Sequence, residues 1–166
     1  MTPECLKDLN TVMNSLIMIG GQYKACMRDF IAANDNGIAD FLRAEKMERY
    51  ELSACIADYI QNENKNGVVY SAQPAPTHGP ANPAALKIIV DLEKKMLANL
   101  DAMISAAAER GAEVTKQYMV YVRNKCQKEF TEIHGVISEI TKLAADPGAM
   151  AYYNNFLAEE YNRGYE

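Results

Sequence analysis

The chain has 166 residues, 49% of them hydrophobic and 23% charged, enough to bury a real core and too apolar for disorder. A net charge of −5 and a pI near 5.1, with no basic patch interleaved with aromatics, exclude a general nucleic-acid binder. No apolar run approaches a membrane span and the N-terminus MTPECLKDLN has no apolar leader core, so the expectation is a cytoplasmic protein. Cys5, Cys26, Cys55 and Cys126 are widely spaced with no CxxC pair, which fits reduced thiols better than a disulfide frame or a zinc site.

Thr2-Pro3-Glu4 reads as a helix start: a capping hydroxyl, a proline at the first helical position, then an acid. The apolar row Leu6, Leu9, Met13, Leu16, Gly20, Tyr23, Met27, Phe30 predicts a helix over about 3–33. Gly20-Gly21 in its middle costs roughly 1 kcal/mol per glycine against alanine, which points to close approach by another helix or another subunit. Asn34-Asp35-Asn36-Gly37 is a turn. A second helix follows over about 38–64, with Ile38, Phe41, Leu42, Leu52, Ile56, Tyr59 and Ile60 on one face. Glu45 and Arg49, one turn apart, interrupt that face.

Residues 65–82 carry Pro74, Pro76 and Pro80, and Pro83 follows, so this stretch is not helical. In extended form its roughly 18 residues reach about 55–60 Å, enough to return along a helix about 40 Å long. It therefore reads as a crossover between parallel second and third helices. Asn82-Pro83 begins the third helix, over about 83–110, whose row Leu86, Ile89, Val90, Glu93, Leu97, Leu100, Ile104, Ala107 holds a lone acid. Gly111 ends it. The fourth helix, about 112–145, presents Tyr118, Val122, Cys126, Glu129, Ile133, Val136, Ile140 and Leu143. Asp146-Pro147-Gly148 breaks it, and a short fifth helix spans about 148–162. The fold class is all-α: a four-helix bundle with one long crossover and a short tail helix, as a single domain over 1–166.

In bundles of this connectivity a metal site is built mid-helix from glutamates and Glu-x-x-His pairs. No E-x-x-H occurs: Thr131 stands three residues before His134, which reads as a surface or partly buried residue rather than a ligand, and His78 lies in the crossover. Glu45, Glu48, Glu51 and Asp58 read most simply as a solvated acidic face. The methionines and cysteines on helical faces read as core filler.

LNTVMN (Leu9–Asn14), Tyr23, the FLRA run from Phe41 to Ala44, DYI before the crossover, LEK (Leu92–Lys94) and VRNKCQKEF (Val122–Phe130) follow one another in a distinctive order and spacing. In these pieces, and over nearly its whole length, the chain resembles the ferritin-like family, in particular the non-haem bacterial ferritins. The resemblance implies a ferroxidase centre for two ferrous ions, and this chain departs from it. The first-helix Glu position is Leu16, the second-helix Glu-x-x-His is Arg49-x-x-Leu52, and the fourth-helix Gln is Cys126. Glu93 and Tyr23 are kept. Of the acids at a third iron site, Glu48 and Glu129 survive while Lys125 and Lys128 replace others.

Ferrous iron needs several hard or imidazole ligands with open positions, and this set does not supply them. The centre is thus expected to be degenerate, with Glu93 and Glu129 as the residual metal candidates and Arg49 as counter-ion to one or both. The expected function is a shell subunit of the iron-storage class without a competent oxidase centre. Whether it is an enzyme is left open, with no ferroxidase activity as the expectation and iron as a possible cargo. The resemblance implies self-association, as a 24-chain homo-oligomer or together with active ferritin subunits, with neither nucleic acid nor membrane as partner. The alternatives are a ferritin-fold structural or interaction protein that binds no iron, and an oxidase using Glu45, Glu48, Glu93 and Glu129.

Overall fold

The computed structural model describes residues 1–162; the last four positions of the expected 1–166 domain lie outside the described residues. Five helices follow in order: α1 (Pro3–Ala32), α2 (Asn36–Glu63), α3 (Pro83–Glu109), α4 (Glu113–Leu143) and α5 (Pro147–Tyr161). The two caps anticipated from sequence, at Thr2 and Asn82, form, and Asp146 adds a third. Thr2 Oγ1 accepts from the Cys5 amide, Asn82 Oδ1 accepts from that of Ala85, and Asp146 Oδ1 accepts from Gly148 and Ala149. Pro147 thus opens α5 as well as ending α4.

The first turn is shorter than Asn34-Asp35-Asn36-Gly37. Asn34 takes the left-handed conformation (φ 64°), and the Asp35 amide reaches back to the Phe30 carbonyl, closing α1 in a Schellman-type turn. Asn36 and Gly37 then join the first turn of α2. Gly37 is required there, because a Cβ would sit 1.7 Å from the Asn154 carbonyl oxygen of α5. Gly111 (φ 69°) ends α3 in the same way as Asn34 ends α1.

Cross-helix contacts fix the directions. Asp8 pairs with Arg110, Tyr23 with Glu93, and Cys26 faces the Ala85 carbonyl, so α1 and α3 are antiparallel. Gly20 lies under Tyr50, and the short turn makes α2 antiparallel to α1. Hence α2 and α3 run parallel, joined by the crossover. Arg49 meets Glu129 and Tyr59 meets Tyr118, so α4 is antiparallel to α2. The core runs the length of the bundle and includes Leu9, Met13, Leu16, Phe41, Leu52, Ile56, Ile89, Leu100, Val122 and Ile133, all buried.

The crossover is held by a row of amides on α1. Asn10 donates to Gly67 O and accepts from Val69 N (2.8 and 2.7 Å); Asn14 does the same with Val69 O and Ser71 N (both 2.8 Å). Gln22 pairs in this manner with both peptide groups of Thr77 (2.7 and 2.9 Å), and Asp29 accepts from Gly79 N and faces His78. Each amide stands in for a neighbouring strand, satisfying backbone groups that a proline-rich segment cannot pair internally.

Candidate functional site

Midway along the bundle the four long helices each contribute to one polar cluster in an apolar core. Arg49 on α2 is fully buried and is among the largest side chains with no exposure. Its Nε donates to Glu93 Oε1 on α3 at 2.6 Å, and its Nη1 donates to Glu129 Oε2 on α4. Tyr23 on α1 donates to the same Glu93 oxygen at 3.2 Å, and the guanidinium carbon lies 6.0 Å from the Tyr23 ring centroid. Leu16 and Leu52 are buried, as packing residues, and the buried Cys126 lies within the electrostatic reach of Arg49 and Glu93.

Three further ionisable groups, Lys125, Glu48 and Glu45, flank this core. Glu129 Oε1 lies 3.9 Å from Lys125 Nζ, which is also 3.5 Å from Glu48 Oε2. Glu129 therefore bridges two cations, one through each oxygen. Glu45 approaches from a turn below, its Oε2 3.9 Å from Arg49 Nη2. Here the expectation of a solvated acid is overturned: Glu45 is only 6% exposed. Tyr161 of α5 packs edge-on to Phe41 and donates to Glu132, so α5 covers this part of α2. Within the described residues Glu45 Oε2, Glu93 Oε2 and Arg49 Nη2 have no hydrogen-bond partner.

The electrostatics follow from burial and proximity. Burial pushes the Glu45 carboxyl up to about 8, with Arg49 pulling the other way and Glu132, Glu129 and Glu93 adding to the rise. Burial works against the Arg49 charge, yet Glu93, Tyr23 and Glu129 hold it more firmly protonated than a free arginine. Burial raises the Tyr23 phenol, helped by Glu93, and drives the Cys126 thiol up to about 12. The thiol is thus protonated at neutral pH and packs as a buried core group.

The sequence-predicted residues Arg49, Glu93, Glu129 and Tyr23 come together directly. Glu48 joins only through Lys125 and lies at the surface side. His134 is exposed beside Phe130, and His78 sits on the crossover against Asp29. Among the described residues, no three or more His, Cys, Asp or Glu side chains converge in a way that could hold a metal ion. A groove of about 600 Å³ runs between α1 and the crossover, and none of its lining residues belongs to the mid-bundle site. None of the described helices is long and apolar enough to cross a membrane.

No family model matches the chain, and no curated protein matches it in sequence. Solved structures do match in shape. A closed form of Archaeoglobus fulgidus ferritin made by site-directed mutagenesis superposes with a TM-score of 0.88 at 13% identity, covering 95% of this chain and 96% of that one. A humanized archaeal ferritin gives 0.89 at 12% identity, covering 95% and 97%. A PmFTN variant from a crystal soaked in iron gives 0.84 at 17% identity, covering 92% and 98%. Likeness over nearly whole chains, with the helix order and crossover described above, shows that this chain has the ferritin four-helix-bundle fold with a short C-terminal fifth helix.

Proposed function

We propose that the chain is a shell subunit of the iron-storage class in which an internal arginine has replaced a two-iron oxidation centre. One observation carries this reading: the buried Arg49 guanidinium is bonded to both Glu93 and Glu129, the acids best placed to hold a cation there. A ferrous ion about 4 Å from that guanidinium would be repelled by about 8 kcal/mol at an effective dielectric of about 20. Both residual carboxylates already have a cationic partner, and Leu16 and Leu52 offer no donor atom. The residues present do not fit a pair of ferrous ions.

On this reading the chain folds as one unit over 1–166, stays in the reducing cytoplasm with free thiols, and assembles through its helical faces into a shell. The resemblance puts that shell at 24 chains, alone or with oxidase-competent subunits. Iron enters as cargo, and the α2 surface acids Glu51 and Asp58, which form no ion pair among the described residues, nucleate mineral. The second reading is a ferritin-fold protein that handles no iron. It is favoured by Lys125, which neutralises Glu48 and Glu129 where a cation would otherwise dock.

Two measurements test these readings. Ferrous iron added in air to the pure protein is followed by ferric absorbance, and the assembly is sized before and after loading. The proposal expects a large hollow assembly, oxidation no faster than in protein-free buffer, and ferric mineral retained by the shell. Rapid oxidation in proportion to protein would contradict it. An assembly that retains no mineral would favour the second reading.

A further inference from the structure

About three turns along α2 and α4 from Arg49, the two helices meet at a second contact that the iron reading does not use. Tyr59 of α2 and Tyr118 of α4 lie face to face, ring centroids 3.8 Å apart and planes 11° from parallel. Aromatic pairs ordinarily prefer offset or edge-on arrangements at about 4.5–7 Å, so this is an unusually tight stack. The Tyr118 hydroxyl donates to the Cys55 carbonyl at 3.2 Å, which fixes the ring's position against α2. Tyr121, almost one turn on and exposed, lies 6.2 Å from the Tyr118 ring and connects the stack to solvent. Burial raises the Tyr59 and Tyr118 phenols above their usual range, so both are protonated at neutral pH.

We propose that Tyr59 and Tyr118 form an oxidative modification site, converted by one-electron oxidants such as hydroxyl radical or a high-valent metal complex into a dityrosine within one chain. Each oxidant takes one electron from a phenol, directly or by way of Tyr121, and the phenolic proton leaves to water. The two phenoxyl radicals couple through ring carbons ortho to oxygen, forming one carbon–carbon bond. The two hydrogens on those carbons then move to the oxygens and restore both phenols. In total the pair loses two electrons and two protons, and each of two oxidant equivalents is reduced by one electron.

The geometry favours this pair over Tyr118 with Tyr121, whose rings lie 6.2 Å apart and tilted by 33°, and over tyrosines without a tyrosine neighbour. Tyr153 stacks on Phe156 and Tyr161 packs on Phe41, partners that form no phenoxyl radical. Tyr70 and Tyr152 are well exposed and have no aromatic neighbour among the described residues. The product would staple α2 to α4 across a loop of about 60 residues, removing chain entropy from the unfolded state.

The test uses the full chain with exposed Cys55 alkylated under native conditions. It is oxidised by photolysis of a ruthenium trisbipyridyl complex with persulfate, then digested for mass spectrometry. The expected product is a Tyr59–Tyr118 linked peptide lacking two hydrogens, from protein that still runs as a single chain on a denaturing gel. Dityrosine fluorescence from that band should be lost in Tyr59→Phe and in Tyr118→Phe but kept in Tyr121→Phe. Fluorescence that survives Tyr59→Phe, links mainly between chains through Tyr70, Tyr121 or Tyr152, or tyrosine oxidation without any link would each overturn the assignment.

Discussion

The crossover seam and the mid-bundle site both bring polar side chains against the core, and they resolve the cost in opposite ways. Along the seam, Asn10, Asn14 and Gln22 are neutral amides that each donate and accept, so they match the peptide groups of residues 67–77 group for group. At mid-bundle, one guanidinium that only donates meets three carboxyl groups, and atoms of Arg49, Glu45 and Glu93 remain unpartnered among the described residues. Neutral pairing saturates locally. Buried charge has to be balanced over a whole neighbourhood, and here that balance is incomplete.

That contrast is broken most forcefully at Arg49. Arg49→Ala strands Glu93 without its cation, an expected loss of about 3–5 kcal/mol and on the order of 10 °C in melting temperature. Arg49→Met combined with Glu93→Gln removes both charges and should regain most of that loss in a thermal melt. A single variant that melts like the parent would show that the ion pair contributes nothing.

Glu45 sharpens the comparison through pH. Its carboxyl is pushed up to about 8 in the folded chain against an ordinary value of 4.5, so between these limits the folded state holds a proton that the unfolded state releases. Stability from this group is full below the lower limit, falls as pH rises, and is gone above about 8. Urea unfolding should therefore give greater stability at pH 5.5 than at pH 8, by on the order of 2 kcal/mol. Glu45→Gln should flatten that slope; an unchanged slope would place the titration elsewhere.

The seam should respond more mildly and without pH dependence. Asn10→Leu leaves the Val69 amide and Gly67 carbonyl unpaired, a cost of about 1–2 kcal/mol in urea unfolding, with faster proteolytic nicking in the crossover. Smallest are the two glycines of α1 that lie between the seam's amides. A Cβ at Gly20 would stand 2.6 Å from the Tyr50 ring, whereas at Gly21 nothing lies within 4 Å. Gly21→Ala should therefore stabilise by about 1 kcal/mol through helix propensity, while Gly20→Ala should lose about 1 kcal/mol to overpacking. Equal effects at both positions would remove the close approach of Tyr50.

The helices were legible because their signals are local. Thr2-Pro3 and Asn82-Pro83 announce helix starts, Gly111 a stop, and the apolar rows mark the faces that meet. The site was legible because Arg49, Glu93 and Glu129 are charges set in apolar rows, and a charge in such a row has to find its opposite on another helix. The burial of Glu45 was legible only in part: its place with Arg49 on the apolar face of the second helix pointed inward, while the covering contacts of Tyr161 with Phe41 and Glu132 come from α5, more than a hundred residues away in the chain. The seam was not legible: Asn10, Asn14 and Gln22 pair with peptide groups, which carry no side-chain signature. The Tyr59–Tyr118 stack depends on the axial register of α2 against α4, a property of the assembled bundle.

A crystal soaked in ferrous iron, with anomalous scattering measured at the iron edge, tests the arginine-for-iron exchange most directly. The expected map shows no ordered iron touching Glu93 or Glu129 and an Arg49 side chain still bonded to both. Two well-occupied irons between those glutamates, with Arg49 swung aside, would contradict the exchange.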